Sequence, residues 1–548
     1  MLKHYIRMMY PVIPFILVLL LYSQVLSHGY VAFDDDIYIY NNPMVVRGLS
    51  WDGVLWAFSD YRVGNYHPLT WISYFIDYEL FGNNSGAFAF VNAIIHALNS
   101  ALVSMLIFYV IGSRMHAVVF GMVFAGHPVL IESVAWISQR KSVLATLFVL
   151  LCILLYLEAS RKCSISKRIV YYLLSLLMYL MSLLSKGMYV TLPVLLVLIE
   201  MIRICGQKNL FENNRFGFYN VDAKSVAFRS LPYLLLSILF CFITYFSQVS
   251  GGAVASIEAV PLIGRIQNVF YGYSWHLFHF IHPIDLSFFY PYIDNIDVVV
   301  TGAQCLLLAT VTVGFYVFRS LISYRPFIGW LFFLICLVPV IGIVHIGSHV
   351  YADRYMYGPI IGLLFVFSGI TEAFYKHRFK RLIWYFWIVW ISFLSFSSWQ
   401  YIRNWKDSIS LAEDAYISGI RDPAVYCVLA NGLRERGDYL QSRDVLMKGL
   451  ESSPFDATLL NGLALTESYF GNYSVAVDLL EKSVSIEPKS GVGLTLLALM
   501  YYEIDRIEDA ALTASRARNI KDLGYSELFF LDALDENIRE SLQEAPTE

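Results

Sequence analysis

Charged residues are scarce in this chain, and their scarcity excludes an ordinary soluble protein. Asp, Glu, Lys and Arg make up 15% of the 548 residues, whereas 57% are hydrophobic and the mean hydropathy is +0.57. Soluble domains carry about 25% charged residues, so this composition indicates an integral membrane protein. The basic residues also form no single patch, which argues against a nucleic-acid partner.

Cysteine is equally sparse. The seven cysteines are spread along the chain, and none of them forms a Cys-x-x-Cys pair. Grouped cysteines are the usual sign of a disulfide framework or a zinc site, so we predict neither.

Long apolar runs dominate residues 1–402. About eleven of them have the length that a lipid bilayer requires. The first run follows Lys3, His4 and Arg7 and shows no cleavage site, so we interpret it as a retained helix. We predict an all-α, polytopic membrane domain with spans near 10–26, 88–111, 117–135, 142–157, 169–184, 187–203, 230–248, 299–318, 326–345, 356–374 and 382–399.

The loops between these runs differ in charge. Basic residues gather near 114, at 161–168, at 203–229, at 319–325 and at 376–381, which are alternate loops. The positive-inside rule assigns these loops to the cytoplasm. An odd number of spans then brings the chain after Trp399 to the outer face, although a further span within the aromatic stretch 266–292 would reverse this.

Self-similarity with a period of 34 residues appears after residue 402. Small residues recur where paired helices would touch, and proline recurs between the units, which is the tetratricopeptide pattern. We predict a linker at 403–422, three repeats at 423–524 and a capping helix or tail at 525–548. This α-solenoid would dock a protein or cap the membrane domain. The recurring residues are Ala430, Ala464 and Ala498, Gly437 and Gly471, and Pro454 and Pro488.

Three consecutive carboxylates, Asp34, Asp35 and Asp36, follow the first apolar run. Adjacent carboxylates repel one another, and a membrane protein keeps such a group mainly to bind a substrate or a cation. The alternative is an acidic, solvated loop. The position of the group on the predicted outer face makes it the starting point for a candidate site.

Several cations depart from the positive-inside pattern. Arg140, Lys141, Lys186 and Arg354 fall on the predicted outer side or at outer helix ends. Each cation alone would serve as a helix-end anchor. Together with carboxylates and histidines on the same side, they suit an anionic substrate carried by a lipid.

Six sequence motifs occur in order along the chain. They are Phe33 to Tyr38, Asn65 to Trp71, His127-Pro128 with Glu132 to Trp136, Arg140-Lys141, Ser185 to Met188, and Ala352 to Tyr355. With the repeats that follow, they resemble the transmembrane and tetratricopeptide-repeat O-mannosyltransferase family, prokaryotic branch, within the GT-C glycosyltransferases. The resemblance implies transfer of a sugar from a polyprenyl-phosphate donor to a protein hydroxyl, on the periplasmic side of a bacterial inner membrane.

The resemblance also implies roles for individual residues. The catalytic acidic pair of the family matches Asp34 and Asp35, and a carboxylate beside another can accept the hydroxyl proton. Arg354, Lys186 and Arg140 are the candidates to bind the donor phosphate. We expect Glu132 to pair with Arg140 or Lys141. The remaining candidate lining residues are Asp36, His67, His127, Glu132, Lys141 and Tyr355.

Alternatives remain for the cofactor and for the reaction. We expect no obligatory metal, although Asp34 and Asp35 would offer Mg²⁺ or Mn²⁺ hard oxygen ligands. The sugar is mannose or another hexose, and the acceptor is a Ser or Thr of a protein docked by the repeats. A lipid or glycan acceptor is the nearest alternative. A non-enzymatic scaffold or transporter, whose repeats dock a partner, is the other.

Overall fold

The structure is a computed structural model that describes residues 9–61, 64–161, 164–207, 223–250, 261–293, 296–319, 323–343, 351–375, 380–520 and 523–544. Helices account for nearly all regular structure in these ranges, and no strand occurs in them, which confirms the all-α prediction. The membrane part contains α1 (Val12–Leu21), α2 (Trp51–Ser59), α3 (Pro68–Phe81), α4 (Ser85–Ile111), α5 (Arg114–Ala125), α6 (Arg140–Ala159), α7 (Ile165–Ser185), α8 (Leu192–Gln207), α9 (Ala223–Ser250), α10 (Leu262–Ile281), α11 (Val298–Val317), α12 (Arg325–Leu337), α13 (Ile360–Tyr375) and α14 (Lys380–Tyr401).

Apolar length identifies the membrane helices. Six described helices are long and apolar enough to cross a bilayer, and a seventh crossing arises if the pair Arg114–Ala125 and Pro128–Ala135, bent by 56°, is one broken span. The other four predicted spans coincide with shorter apolar helices, at Val12–Ser27, Leu192–Ile202, Arg325–Leu337 and Ile360–Phe374. The chain is therefore an integral membrane protein, and length and composition alone support six or seven of the roughly eleven predicted spans.

Local sequence explains where the longest span begins and ends. The side chain of Asn84 accepts a hydrogen bond from Ala87 N at 3.1 Å and caps the first turn of α4. Gly112 ends the helix with φ 79°, a left-handed conformation that costs glycine little. These two signals fix the helix at 27 residues.

The aromatic stretch 266–292 forms α10 and the segment after it. This helix carries Arg265, Asn268 and His276 among its buried residues and is not among the apolar spans. Such polar side chains are costly against lipid, so α10 packs with its polar groups turned inwards. The described residues of this stretch therefore contain no helix that is apolar enough to count as a further span.

The tail consists of stacked helix pairs. Three pairs fall within the predicted repeats, and their turns carry a positive φ at Gly437, Gly471 and Asp505. The side chains of Ala430, Ala464 and Ala498 are fully buried where the paired helices touch. The 34-residue period therefore corresponds to a repeated helix contact and turn. The tail helices are α15 (Ser408–Ile417), α16 (Pro423–Glu435), α17 (Tyr439–Ser452), α18 (Ala457–Ser468), α19 (Tyr473–Ile486), α20 (Gly491–Glu503), α21 (Ile507–Arg518) and α22 (Tyr525–Glu544).

The predicted linker at 403–422 contains α15, which is packed against the membrane part. Leu411 and Ala412 of α15 and Val425 of α16 belong to the same buried apolar cluster as the membrane helices. Gly29 N, at the end of the first span, donates a hydrogen bond to Lys406 O at 2.8 Å. The tail and the aspartate loop therefore lie at the same end of the membrane part. The eleven predicted spans agree with this, because ten of them lie between the loop and the tail.

Some predictions fall outside the described residues. They concern the basic residues at 3–7, 162, 208–222 and 376–379 and the end of the chain at 545–548.

Two glycines allow α12 and α13 to touch backbone to backbone. A Cβ on Gly362 would lie 2.6 Å from Gly329 O, and a Cβ on Gly329 would lie 2.7 Å from Gly362 O. Small residues of this kind are typical of close helix contacts in membranes. The contact supports α13, whose N-terminal end follows the Asp353–Met356 turn.

We expect Gly362→Ala to destabilise the protein by about 1–3 kcal/mol, because the added methyl group overfills a tight contact. The matched control is Gly314→Ala in α11, where an added Cβ meets nothing within 4 Å. Thermal unfolding in detergent measures both. Equal midpoints for the two variants would contradict the close contact.

Candidate active site

Asp34 and Asp35 lie on a short segment after the first span, and Asp36 begins the helical turn Asp36–Tyr40 that follows. Asp35 is fully buried and saturated with hydrogen bonds. Its Oδ2 accepts from Val31 N at 3.0 Å, and its Oδ1 accepts from Ser138 N at 3.0 Å and from the Ser138 hydroxyl. Burial raises the pKa of Asp35 to about 7, against these hydrogen bonds. Asp35 therefore ties the segment to the turn before α6.

Asp34 differs from its neighbour. The residue as a whole is half-buried, and its carboxylate accepts no hydrogen bond from another residue in the described ranges. Its charge interacts with Lys141 and Arg354. Loss of solvation raises the pKa of Asp34, and these two cations oppose that rise. Of the two predicted catalytic carboxylates, Asp34 is the one left available for a substrate.

Asp36 faces the tail. Burial raises its pKa to about 6, with smaller contributions of the same sign from Asp34 and from Glu435 at the end of α16. The three aspartates thus have different surroundings, although they are adjacent in sequence.

Two neighbouring lysines form no ion pair with a carboxylate in the described ranges, and one of them, Lys141, contacts the aspartate segment. Lys141 Nζ donates to the Tyr38 hydroxyl at 3.0 Å and lies 4.2 Å from the centre of that ring. Lys186 Nζ donates to the Ser142 hydroxyl at 2.9 Å. Burial lowers the pKa of Lys186 well below its ordinary value, and Lys141 and Arg354 lower it further. An anion bound here would offset that repulsion.

Arg354 is the third cation of this group. Its guanidinium pairs with Glu132, whose second oxygen accepts from Arg354 N at 2.7 Å. The expected pairing of Glu132 with Arg140 or Lys141 is therefore wrong. Glu132 is fully buried, and the backbone and side chain of one arginine together satisfy both of its oxygens. Tyr355 packs beside the same guanidinium, whose carbon lies 5.3 Å from its ring centre.

Arg140 is held by the protein itself. Its Nη2 lies 2.6 Å from Asp77 Oδ2 and 2.9 Å from Phe88 O, and its Nε donates to Asn92. The side chain is 1% exposed. The Nε and Nη2 groups of Arg140 are thus used within the protein, so a role in phosphate binding stays a prediction without support from these contacts. Its partners link α3, α4 and the start of α6.

The two predicted histidines have opposite surroundings. His127 accepts from Val129 N through Nδ1, while its Nε2 lies 3.0 Å from Phe280 O and its ring stacks on Phe280. Both nitrogens are therefore used, which corrects the expectation that His127 lines the substrate. Its role is to join the broken span to α10.

His67 is buried with neither ring nitrogen hydrogen-bonded in the part of the chain that the structure describes. Its ring packs against those of Tyr38 and Trp71, with centres 5.5 and 4.9 Å away, and these two rings also contact each other. Burial lowers the pKa of His67 well below its ordinary value, with contributions of the same sign from Lys141 and Lys186. A neutral imidazole here retains one donor and one acceptor for a ligand or water.

Several residues that build this site carry little or no signal in the sequence. Tyr38 lies within a recognised motif, but nothing in the sequence indicates that its hydroxyl contacts Lys141. Ser138 and Ser142 are common residues without a pattern. Asp77 carries the best signal, because a carboxylate in an aromatic helix needs a partner.

The carboxylates do not fit a bridging metal. No group of three or more His, Cys, Asp or Glu residues that could hold an ion occurs among the residues described. Both oxygens of Asp35 already accept hydrogen bonds, so Asp34 and Asp35 offer a divalent cation one available carboxylate. Oxygen-bound cations such as Mg²⁺ usually require more ligands than that.

This geometry defines the class of protein: a polytopic, all-helical membrane protein with a buried group of cations beside a carboxylate. No family description matches the sequence. The protein O-mannosyl-transferases TMTC2 of Homo sapiens and Mus musculus are each 29% identical to it over 147 residues, and that of Xenopus laevis is 28% identical over 149 residues. These matches confirm the resemblance to the transmembrane and tetratricopeptide-repeat O-mannosyltransferase family, whereas the prokaryotic branch stays a prediction.

The matches are partial. They cover 26% of this chain and 18% of the length of each of these relatives. Among solved structures, ArnT from Cupriavidus metallidurans bound to undecaprenyl phosphate aligns over 92% of this chain and 79% of its own, with 13% identity. The TM-score of that alignment is 0.39, at which the likeness carries no argument.

The Arg140–Asp77 pair yields a test of structural role. We expect Asp77→Ala to destabilise the protein by about 3–5 kcal/mol, because it leaves a buried guanidinium without its anion. Asp52→Ala, at an exposed position of α2, is the control. Thermal unfolding in detergent compares them, and an unchanged midpoint for Asp77→Ala would show that Arg140 does not depend on this pair.

Proposed function

We propose that the protein is a membrane glycosyltransferase that moves mannose or another hexose from a polyprenyl-phosphate donor to Ser or Thr hydroxyls of a protein outside the cytoplasm. One observation carries this proposal. Lys141 is buried and Lys186 is half-buried, and neither forms an ion pair with a carboxylate in the described ranges. Lys141 and Arg354 interact with the available carboxylate of Asp34, and Lys186 interacts with both of these cations. A site of this kind suits a substrate that brings its own negative charge.

The cations would hold the donor phosphate. Buried cations repel one another, and a phosphate between them would replace repulsion by attraction. Lys141 and Lys186 approach as point charges, and Arg354 contributes from its pair with Glu132. Arg140 does not belong to this group, because Asp77 and Asn92 already bind it.

Asp34 would serve as the general base. As the acceptor hydroxyl oxygen forms its bond to the anomeric carbon, its proton passes to the Asp34 carboxylate. The bond between the anomeric carbon and the phosphate oxygen breaks, and polyprenyl phosphate leaves with both electrons of that bond. The lysines and Arg354 stabilise the negative charge on the departing phosphate. Asp35 is a positioning residue, because its hydrogen bonds hold the segment against Ser138. We propose no metal in this step.

A groove near the site supports a lipid-linked donor. It has a volume of about 500 Å³ and lies between Tyr61 and Tyr66 on one side and Phe242, Phe246 and Ser247 of α9 on the other. Phe242 and Phe246 are exposed on this span. An apolar groove lined by Tyr66, which precedes His67 in the sequence, and by the exposed rings of a membrane-length helix would accommodate isoprenoid units.

Mannose is the first sugar to test, because the matched relatives are named protein O-mannosyl-transferases. We further propose a bacterial inner membrane with the site and the tail on its periplasmic side, and repeats at 423–524 that dock the acceptor. The direct experiment supplies labelled polyprenyl-phosphate-mannose to membranes containing the protein. Label in a Ser or Thr of a membrane-associated or exported protein supports the proposal, whereas label only in lipid or glycan favours the other acceptors.

We expect Asp34→Asn to lower kcat by about 10²- to 10⁴-fold with little change in stability, because it removes the base and no structural hydrogen bond. Burial raises the pKa of Asp34, so the base becomes protonated at a higher pH than an ordinary aspartate. The rate of the unmodified protein should therefore fall on acidification already above the pH at which an ordinary aspartate titrates. Asp35→Asn should instead lower the unfolding midpoint, and Asp52→Asn should change neither. Transfer assays with thermal unfolding measure all three. Full activity in Asp34→Asn would exclude Asp34 as the base.

We expect Lys186→Gln and Lys141→Gln each to weaken donor binding roughly 10- to 100-fold, the range of a lost charge-assisted hydrogen bond. Neither variant should lower the unfolding midpoint, because each removes repulsion between buried cations. Lys448→Gln, on the exposed face of α17, is the control. Donor titration by intrinsic fluorescence measures affinity. Unchanged affinity in both site variants would mean that the phosphate binds elsewhere.

A further inference from the structure

The tail contacts the aspartate segment on both sides of Asp34. On the first side, Gly29 N donates to Lys406 O at 2.8 Å and Ala32 N donates to the Ser408 hydroxyl at 2.9 Å. Both acceptors belong to the start of the tail. The backbone that leads into Asp34 is therefore held by residues more than 370 positions away in the chain.

Aromatic rings strengthen this first contact. Phe33, which precedes Asp34, packs on Trp136 with ring centres 5.1 Å apart, and Trp136 stacks on Trp405 at 5.8 Å and 27°. Trp136 and Trp405 are each 1% exposed. Aromatic packing of this kind is directional, so it limits the orientation of the segment as well as its position.

The second contact is a single hydrogen bond from the repeats. The Tyr40 hydroxyl donates to Glu435 Oε1 at 3.0 Å. Glu435 is the last residue of α16, and the preceding Arg434 donates to Thr466 Oγ1 of the next helix pair at 3.2 Å. The end of α16 is thus anchored within the tail. Tyr40 closes the helical turn that carries Asp36, so Glu435 holds the far side of the segment.

We propose that Glu435 is a positioning residue for the aspartate segment 29–41, and that the first helix pair of the repeats, α16 and α17, is part of the transfer site. This inference rests on the proposed function, because it assigns Asp34 as the base that the contact orients. The tail then acts on the reaction whatever acceptor it binds. Glu435 does not contact the reacting atoms, and it acts through Tyr40.

Three variants separate a positioning role from a general structural one. Tyr40→Phe removes the donor of the hydrogen bond, and Glu435→Ala removes its acceptor. Glu435→Gln keeps an amide oxygen that accepts from Tyr40 while it removes the charge. Glu451→Ala, at an exposed position of α17, is the matched control.

We expect Tyr40→Phe and Glu435→Ala each to lower kcat by about three- to tenfold, the effect of one hydrogen bond, with an unchanged KM for a short acceptor peptide. The double variant should be no slower than either single variant, because both remove the same interaction. Glu435→Gln should retain most of the rate, and Glu451→Ala should retain all of it.

Hydrogen exchange supplies a second measurement that needs no substrate. The amides of residues 29–41 should exchange faster in Tyr40→Phe and Glu435→Ala than in the unmodified protein, and at the original rate in Glu435→Gln. Unchanged exchange and unchanged kcat in an active protein would overturn the inference. An inactive unmodified protein with the expected exchange pattern would instead reject the proposed function and leave the contact between Glu435 and the segment established.

Discussion

The placement of positive charge in a poorly solvated site is the constraint on which the rest of the structure depends. A buried cation costs several kcal/mol unless an anion or good hydrogen bonds compensate it. Two of the four cations discussed above are compensated by the protein, since Arg140 binds Asp77 and Arg354 binds Glu132. Lys141 and Lys186 receive only hydroxyl partners in the described ranges. This difference in charge compensation distinguishes the two structural arginines from the two lysines of the proposed binding site. An anionic substrate is stabilised most by cations that the protein itself does not neutralise.

The same division applies to the carboxylates. Asp35 is fixed by Val31 and Ser138, whereas the Asp34 carboxylate has only electrostatic neighbours in the part of the chain that the structure describes. In the proposed reaction, one aspartate holds the segment in place and the next acts as the base, and catalytic groups generally need such support to act within a narrow geometry. The tail adds a third support through Lys406, Ser408 and Glu435. The membrane part and the tail thus both contact the segment that carries Asp34.

Hydropathy and periodicity predicted the architecture well, because each depends on residues close together in sequence. The apolar runs, the helical tail and the repeat period all follow from such local patterns. The ion-pair and hydrogen-bond partners of the charged residues could not be predicted in the same way. Arg140 and Asp77 are 63 positions apart, and Arg354 and Glu132 are 222 apart, so their pairing depends on how α3, α6 and the 353–356 turn pack. His127 was misjudged for the same reason, because its partner Phe280 lies on α10. The different roles of Asp34 and Asp35 likewise come from Ser138, a residue without a recognisable pattern.

A structure of the protein in lipid nanodiscs with bound polyprenyl phosphate would test the central claim most directly. The account predicts that the phosphate oxygens lie within hydrogen-bonding distance of Lys141 Nζ and Lys186 Nζ, next to the Asp34 carboxylate, with the first isoprenoid units in the groove beside Tyr66. The account would be contradicted by a phosphate bound at another position, with Lys141 and Lys186 hydrogen-bonded only to Tyr38 and Ser142.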